Sequence, residues 1–161
     1  MEKKKKSSLT MRSMFKALME GGYYPTFNKT HILFNMEDNI GVVEYEEGVL
    51  SVRLFFTIEE EAYDLFLEAS NSAMLVTFAV KPVVMEDMKT IMFSCETLCD
   101  TLNEFRRHFP RCISLLEESL SSHKAEMKKL VLAEEAISKR IPATDDYLSM
   151  TGIGNSHKLP S

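Results

Sequence analysis

The chain reads as an α+β domain with a mostly antiparallel sheet, and three observations predict it. Apolar and polar positions alternate with period two over 49–58, the pattern of a strand with one buried face. Short separators rich in turn formers set that stretch off from two more strand-like runs before it. Stripes of apolar residues at spacings of three and four stand on either side of the block, as amphipathic helices require. The length of 161 residues, with 45% apolar and 27% charged residues, 6 Gly and 5 Pro, suits one globular domain and excludes disordered, collagenous and disulfide-stapled classes. Roughly two-thirds of the unfolded surface can be buried at this length, so nothing structural calls for a metal or cofactor.

The first helix is expected over 9–20, from the stripe of Leu9, Met11, Met14, Phe15, Leu18 and Met19. Gly21 and Gly22 end it, because glycine takes the left-handed conformation of a helix C-terminus. Strands follow at 30–36, 40–46 and 49–58, separated by Glu37-Asp38-Asn39 and Glu46-Glu47-Gly48, which predicts an antiparallel meander. In the third strand Leu50, Val52, Leu54, Phe56 and Ile58 point one way, while Val49, Ser51, Arg53, Phe55 and Thr57 point the other. Thr57 and Glu60 have capping-box spacing and predict the start of a second helix, with Ala62, Tyr63, Phe66, Leu67 and Ser70 inward.

Asn71 and Ser72 are read as breaking that helix into a strand over 73–80, closed by Lys81-Pro82, with a return strand over 88–95. Thr97 and Asp100 again have capping-box spacing, opening a long last helix that carries Leu98, Leu102, Phe105, Phe109, Cys112, Ile113, Leu116 and Leu120. Pro110 sits inside it, which predicts a kink or two helices meeting there. The expected organisation is a disordered basic N-terminus at 1–8, one α+β domain at 9–120, a helical extension at 121–142 and a disordered polar tail at 143–161.

This order, with Gly21-Gly22-Tyr23 after the first helix, the run from Ile32-Leu33-Phe34 to Phe55-Phe56, and Glu68-Ala69-Ser70-Asn71 before the next strand, resembles the YbjN-like family. That family is similar in fold to the type III secretion chaperones. The resemblance covers roughly 9–120 and implies a domain that regulates or holds protein partners, with no catalytic residues to carry over. The extension after Leu120 departs from the family's compact domain.

The formal net charge is −5, and four of the 19 basic residues are Lys3, Lys4, Lys5 and Lys6, so the body is more acidic than the whole. An acidic body lacks the basic stripe that nucleic acid or an anionic membrane needs, and neither is expected as a partner. The lysine run reads as a solvated tail. Ser7, Ser8, Thr10, Arg12, Ser13 and Lys16 interrupt any secretory signal, and no later run reaches the ~18 apolar residues of a membrane span. Three cysteines without an export signal fit reduced thiols and a cytoplasmic location.

Cys95, Cys99, His108 and Cys112 contain zinc-ligating atoms, but a helix carrying the last three would spread them over about 20 Å, too far for one ion. His108 and Cys112 stand one helical turn apart, like a base and its nucleophile, with no third group to orient the imidazole. Neither a dinucleotide nor a phosphate loop, HExxH or GxSxG occurs. Met74, Met85, Met88 and Met92 could offer an adaptable surface.

The second sheet face is expected to gather Leu33, Val43, Tyr45, Val49, Phe55 and Leu75 around Arg53, more apolar than water should see if helices cover one side alone. A last helix of some 60 Å cannot bury its whole length on its own domain. Val43, Tyr45, Arg53, Phe55, Leu116 and Leu120 are therefore the candidate contacts for a protein partner or a homodimer. The function expected is non-enzymatic, a protein-binding or chaperone-like regulatory or scaffolding domain. The alternatives are a small-molecule sensor, with an apolar pocket beside Tyr23, Tyr24 or Tyr63, and a small enzyme with a pocket around His108, Cys112 and Cys95.

Overall fold

The elements follow in the order α1 (Met11–Glu20), β1 (Thr26–Asn28), β2 (His31–Met36), β3 (Asn39–Glu46), β4 (Val49–Thr57), a 3-10 turn (Glu60–Ala62), α2 (Tyr63–Met74), β5 (Val80–Val84), β6 (Thr90–Leu98) and α3 (Leu102–Arg140). A computed structural model describes residues 8–36 and 39–140. The lysine run, Glu37, Asp38, Pro142 and the expected disordered tail at 143–161 lie outside the described residues. The six strands form one sheet in the order β1-β2-β3-β4-β6-β5, antiparallel at every pairing. Pro82 lies on the edge strand β5, the place where a residue without an N–H interrupts no ladder beyond it.

Glu47 and Gly48 both take positive φ, 49° and 83°, which makes the β3–β4 connection the two-residue turn that matches strand twist. It pairs Glu46 with Val49, and so Val43 with Val52 and Tyr45 with Leu50. Paired residues share a face, so the odd positions of β3 join the even positions of β4. That face is the core: Ile32, Phe34, Val43, Leu50, Val52, Leu54, Ile91, Phe93 and Cys95 are buried, under Met14 and Leu18 of α1 and Phe105, Phe109, Cys112, Ile113 and Leu116 of α3. The helices thus cover the face of Leu50, Val52 and Leu54, as the sequence predicts. At the α1 end, Tyr23, Phe34 and Phe109 meet edge to face at 5.0 to 6.1 Å.

Four local expectations change. The meander has an extra first strand, β1, joined to β2 through Lys29 at a φ of 55°. The strand expected at 73–80 is absent: α2 continues through Met74, the Thr77 hydroxyl donates to the Ala73 carbonyl at 2.9 Å, and β5 begins only at Val80. Its apolar alternation is not burial, since Leu75, Val76 and Phe78 are exposed. Both expected caps lie inside strands instead, Thr57 paired with Thr90 and Thr97 with Leu50. The reciprocal cap of the last helix sits further on, where Glu104 N donates to Thr101 Oγ1 at 3.2 Å and Thr101 N donates to the Glu104 carboxylate at 3.1 Å. Pro110 does not split α3, because it lies on the exposed side, where water can take the carbonyl its missing N–H would have bonded.

α3 is 39 residues long, about 58 Å at the standard rise. Its early turns cover the sheet, and His123 anchors it again further along. The imidazole is 4% exposed, accepts from the Ser70 hydroxyl at Nε2 (3.1 Å), donates to the Phe66 carbonyl, and packs against the Phe66 and Phe93 rings. The sequence pattern treats His123 as a polar interruption, whereas it is what ties α3 to α2. From Val131 to Lys139 the helix is exposed on every side.

Burial holds the His123 pKa below the ordinary histidine range, against the raising effect of its bond to the Phe66 carbonyl. The unfolded chain binds that proton near pH 6.5 and the folded chain only at lower pH. Its contribution to stability is therefore complete above about pH 6.5 and is lost as the pH falls toward the folded value. Urea unfolding at pH 7.5 and pH 5.5 should show a larger loss for the wild type than for His123→Gln. Equal losses would show that His123 is not the titrating group. A second expectation concerns Gly41, where a Cβ would land on the Phe34 ring. Gly41→Ala should cost about 1–3 kcal/mol by overpacking, read from the denaturation midpoint, and Phe34→Leu in the same chain should recover part of it.

Candidate functional site

The face of the sheet turned away from the helices carries one apolar strip and one charged band, set side by side by the register. Phe55, Met92 and Val83 are paired across β4, β6 and β5. Ile40 stands at the start of β3 beside them, and Leu33 and Val42 continue the strip across β2 and β3. Ile40, Phe55 and Val83 are exposed by 60%, 38% and 40%, so among the described residues no helix shields the strip as one shields the core face. In the adjoining band the Arg53 guanidinium bridges Glu44 of β3 and Glu96 of β6, the latter at 3.8 Å, and Lys81 of β5 reaches Glu96 at 3.0 Å. The Lys81 hydrogen bond is the main reason that the Glu96 carboxyl titrates below its usual range. Arg53 Nε is buried without a hydrogen-bond partner, and Ser51 and Ser94 lie buried on the same face.

Of the candidate contacts, Arg53 and Phe55 stand on this outer face. Val43 does not: it is fully buried opposite Val52. Tyr45 is on the core side too, half-buried, its phenol pushed up by burial and then by Asp100, Cys99 and Glu104. Leu116 is fully buried under the sheet and Leu120 packs partly against the core. Leu75 lies in the turn after α2, while Leu33 and Val49 do face outward. Ile40, Val42 and Val83 also stand on this face, outside the set that the sequence pattern points to. Counting outward from the two-residue turn at Glu47-Gly48 finds Val42, because residue 42 must then face residue 53.

A cleft of about 620 Å³ opens on the opposite side, between β6 and α3, lined among others by Cys95, Glu96, His108, Arg111, Cys112 and Leu115. Cys95 and Cys112 share a side-chain hydrogen bond, which together with burial pushes the Cys112 thiol well above its ordinary range. Arg107 Nη2 approaches His108 Nε2 at 3.2 Å, and Nδ1 is buried without a partner. Cys99 is not on the helix as expected but in the turn before it. Its thiol donates to the Thr101 carbonyl at 3.7 Å and is pushed up to about 11, chiefly by burial. Among the described residues no cluster of three or more His, Cys, Asp or Glu side chains could hold a metal ion. A second cleft, about 260 Å³, lies beside Tyr23, Phe105 and Phe109, below the ~300 Å³ at which ligand pockets begin.

No protein-family profile and no curated relative matches the sequence. Among solved structures, the fold is similar to that of YbjN, a candidate transcription regulator from E. coli, with a TM-score of 0.62 at 9% identity over 75% of this chain and 94% of that one. The fold is YbjN-like, an α+β arrangement with a six-stranded antiparallel sheet and a long C-terminal helix. Among the described residues no helix is long and apolar enough to cross a membrane.

The two faces should answer differently to the same substitution. Val43→Asp places an unpaired carboxylate in the core and should abolish the folded circular-dichroism spectrum. Phe55→Asp, at the surface, should leave the melting temperature within a few degrees of the wild type.

Proposed function

We propose that the protein is a non-enzymatic, cytoplasmic binding domain with a regulatory or scaffolding role, holding a protein partner on the outer face of its sheet. The observation that carries this reading is the uncovered strip of Leu33, Ile40, Val42, Phe55, Met92 and Val83 beside the Glu44-Arg53-Glu96-Lys81 band. An apolar centre flanked by ordered charges has the composition of a protein interface. Both signs of charge are present in the band, which suits a protein surface better than a polyanion. YbjN, a similar structure, is described as a candidate regulator, the same broad class.

The cleft brings Cys95, His108 and Cys112 together, as the enzyme alternative requires, but its chemistry favours that alternative less. In that alternative the nucleophile is Cys112, one helical turn from His108, and its thiol is pushed up by its bond to Cys95 and by burial, the opposite of what a nucleophilic cysteine needs. Arg107 occupies His108 Nε2, the nitrogen that would accept the nucleophile's proton, since a neutral imidazole has one free lone pair.

Affinity capture from native extract tests the proposal with three baits: the wild type, Phe55→Asp and the distal α3 variant Leu132→Asp. One protein retained by the wild type and by Leu132→Asp but lost from Phe55→Asp is the expected result. Sedimentation equilibrium on the same variants shows whether the partner is a second copy of the chain. A monomer whose captured proteins are indifferent to Phe55→Asp, and whose melting temperature rises with a metabolite, would replace this reading with that of a sensor.

A further inference from the structure

Cys95 and Cys112 come from elements distant in sequence and both line the larger cleft. Cys95 sits on the core side of β6, paired with Val52 and Val80, and Cys112 on the side of α3 that faces it. They are 2% and 3% exposed and share a side-chain hydrogen bond, so a reagent reaches them only by entering the cleft. Arg111 and His108 line the same space. With Arg107 donating to Nε2, the ring hydrogen of a neutral His108 is on Nδ1, which has no partner of its own.

We propose that Cys95 and Cys112 are a hydroperoxide-sensitive thiol pair, whose sulfurs close to a disulfide joining β6 to α3 when a small hydroperoxide enters the cleft. Because the two sulfurs share one hydrogen bond, either can attack while the other resolves, and in one order of roles the attack comes from Cys95. Its thiolate attacks the hydroxyl oxygen of the hydroperoxide and the O–O bond breaks. Cys95 becomes a sulfenic acid, and the departing alkoxide or hydroxide takes up the proton that Cys95 had lost. Cys112 then attacks the Cys95 sulfur, the S–O bond breaks, and the leaving hydroxyl departs as water with the Cys112 proton. In sum two thiols lose two electrons and two protons, and the hydroperoxide is reduced to an alcohol, or to water from hydrogen peroxide, plus a further water. The near-complete burial of both thiols favours hydrogen peroxide over bulky disulfides. Cys99, bonded to the Thr101 carbonyl, takes no part. The pair lies on the helix side of the sheet, so it operates whether or not the outer face binds a partner.

The test treats the full chain with a small excess of hydrogen peroxide. Intact mass should fall by two hydrogens, and peptide mapping that includes cleavage after Glu96, which separates Cys95 from Cys99, should recover a Cys95–Cys112 cross-link that dithiothreitol reverses. In Cys112→Ser, a dimedone adduct should appear on Cys95; in Cys99→Ala, the cross-link should form as in the wild type. The proposal is overturned if Cys95 and Cys112 stay alkylatable in the folded wild type after peroxide, or if the bond formed involves Cys99 or a second chain. Because the decisive map is made on the wild type, misfolding of a variant does not obscure the outcome.

Discussion

The tight turn at Glu47-Gly48 decides which side chains of this protein meet its helices. Two residues with positive φ close the β3–β4 hairpin with Glu46 opposite Val49. A slip of one residue would turn Val43 outward and Val42 inward, exchanging a fully buried valine for one on the outer strip. β4 then passes the phase to β6, where Val52 meets Cys95 and Leu54 meets Phe93, and β6 passes it to β5. The core, the cleft and the outer strip all inherit their membership from that one register.

α3 has to satisfy more than one neighbour. Phe105, Phe109, Ile113 and Leu116 cover the sheet, while Ser70, Phe66 and Phe93 surround His123 further along. A buried imidazole is tolerated there because each ring nitrogen has a partner, a hydroxyl on one side and a carbonyl on the other. Pro110 is tolerated for the opposite reason, since its side of the helix stays in water. The larger cleft opens alongside this stretch of α3, where Pro110, Arg111 and Leu115 face Ala79, Cys95 and Thr97.

The outer face is where packing leaves a surplus. Three helices on one side of six strands leave the other side to its own side chains, and Arg53, Glu44, Glu96 and Lys81 protect only one band of it. Exposed ion pairs of this kind add little stability. Their ordered geometry matters more as a border to Phe55, Met92 and Val83, because fixed charges beside an apolar strip restrict what can dock and in which orientation.

Local periodicity made much of this legible in advance. The alternation at 49–58 identified β4 and its buried side, and the helical stripes located α1 and α3. These are properties of short stretches of chain, and each element carries its own signal. Other signals misled where a neighbour in space outweighed the stretch itself. Thr57 and Thr97 have the spacing of caps but were claimed by strand partners, and the alternation after Met74 belonged to an exposed turn that no strand accompanies. The faces of Val43 and Tyr45 depended on a turn rather than on their own strand. The burial of His123 depended on Ser70, and the pairing of Cys95 with Cys112 on a helix crossing a strand. The sequence by itself determined most of the helices and strands, and the buried side of β4, α1 and α3. Only the tertiary structure decided which residues face one another, because register and side-chain pairing join positions whose separation along the chain leaves no periodic trace.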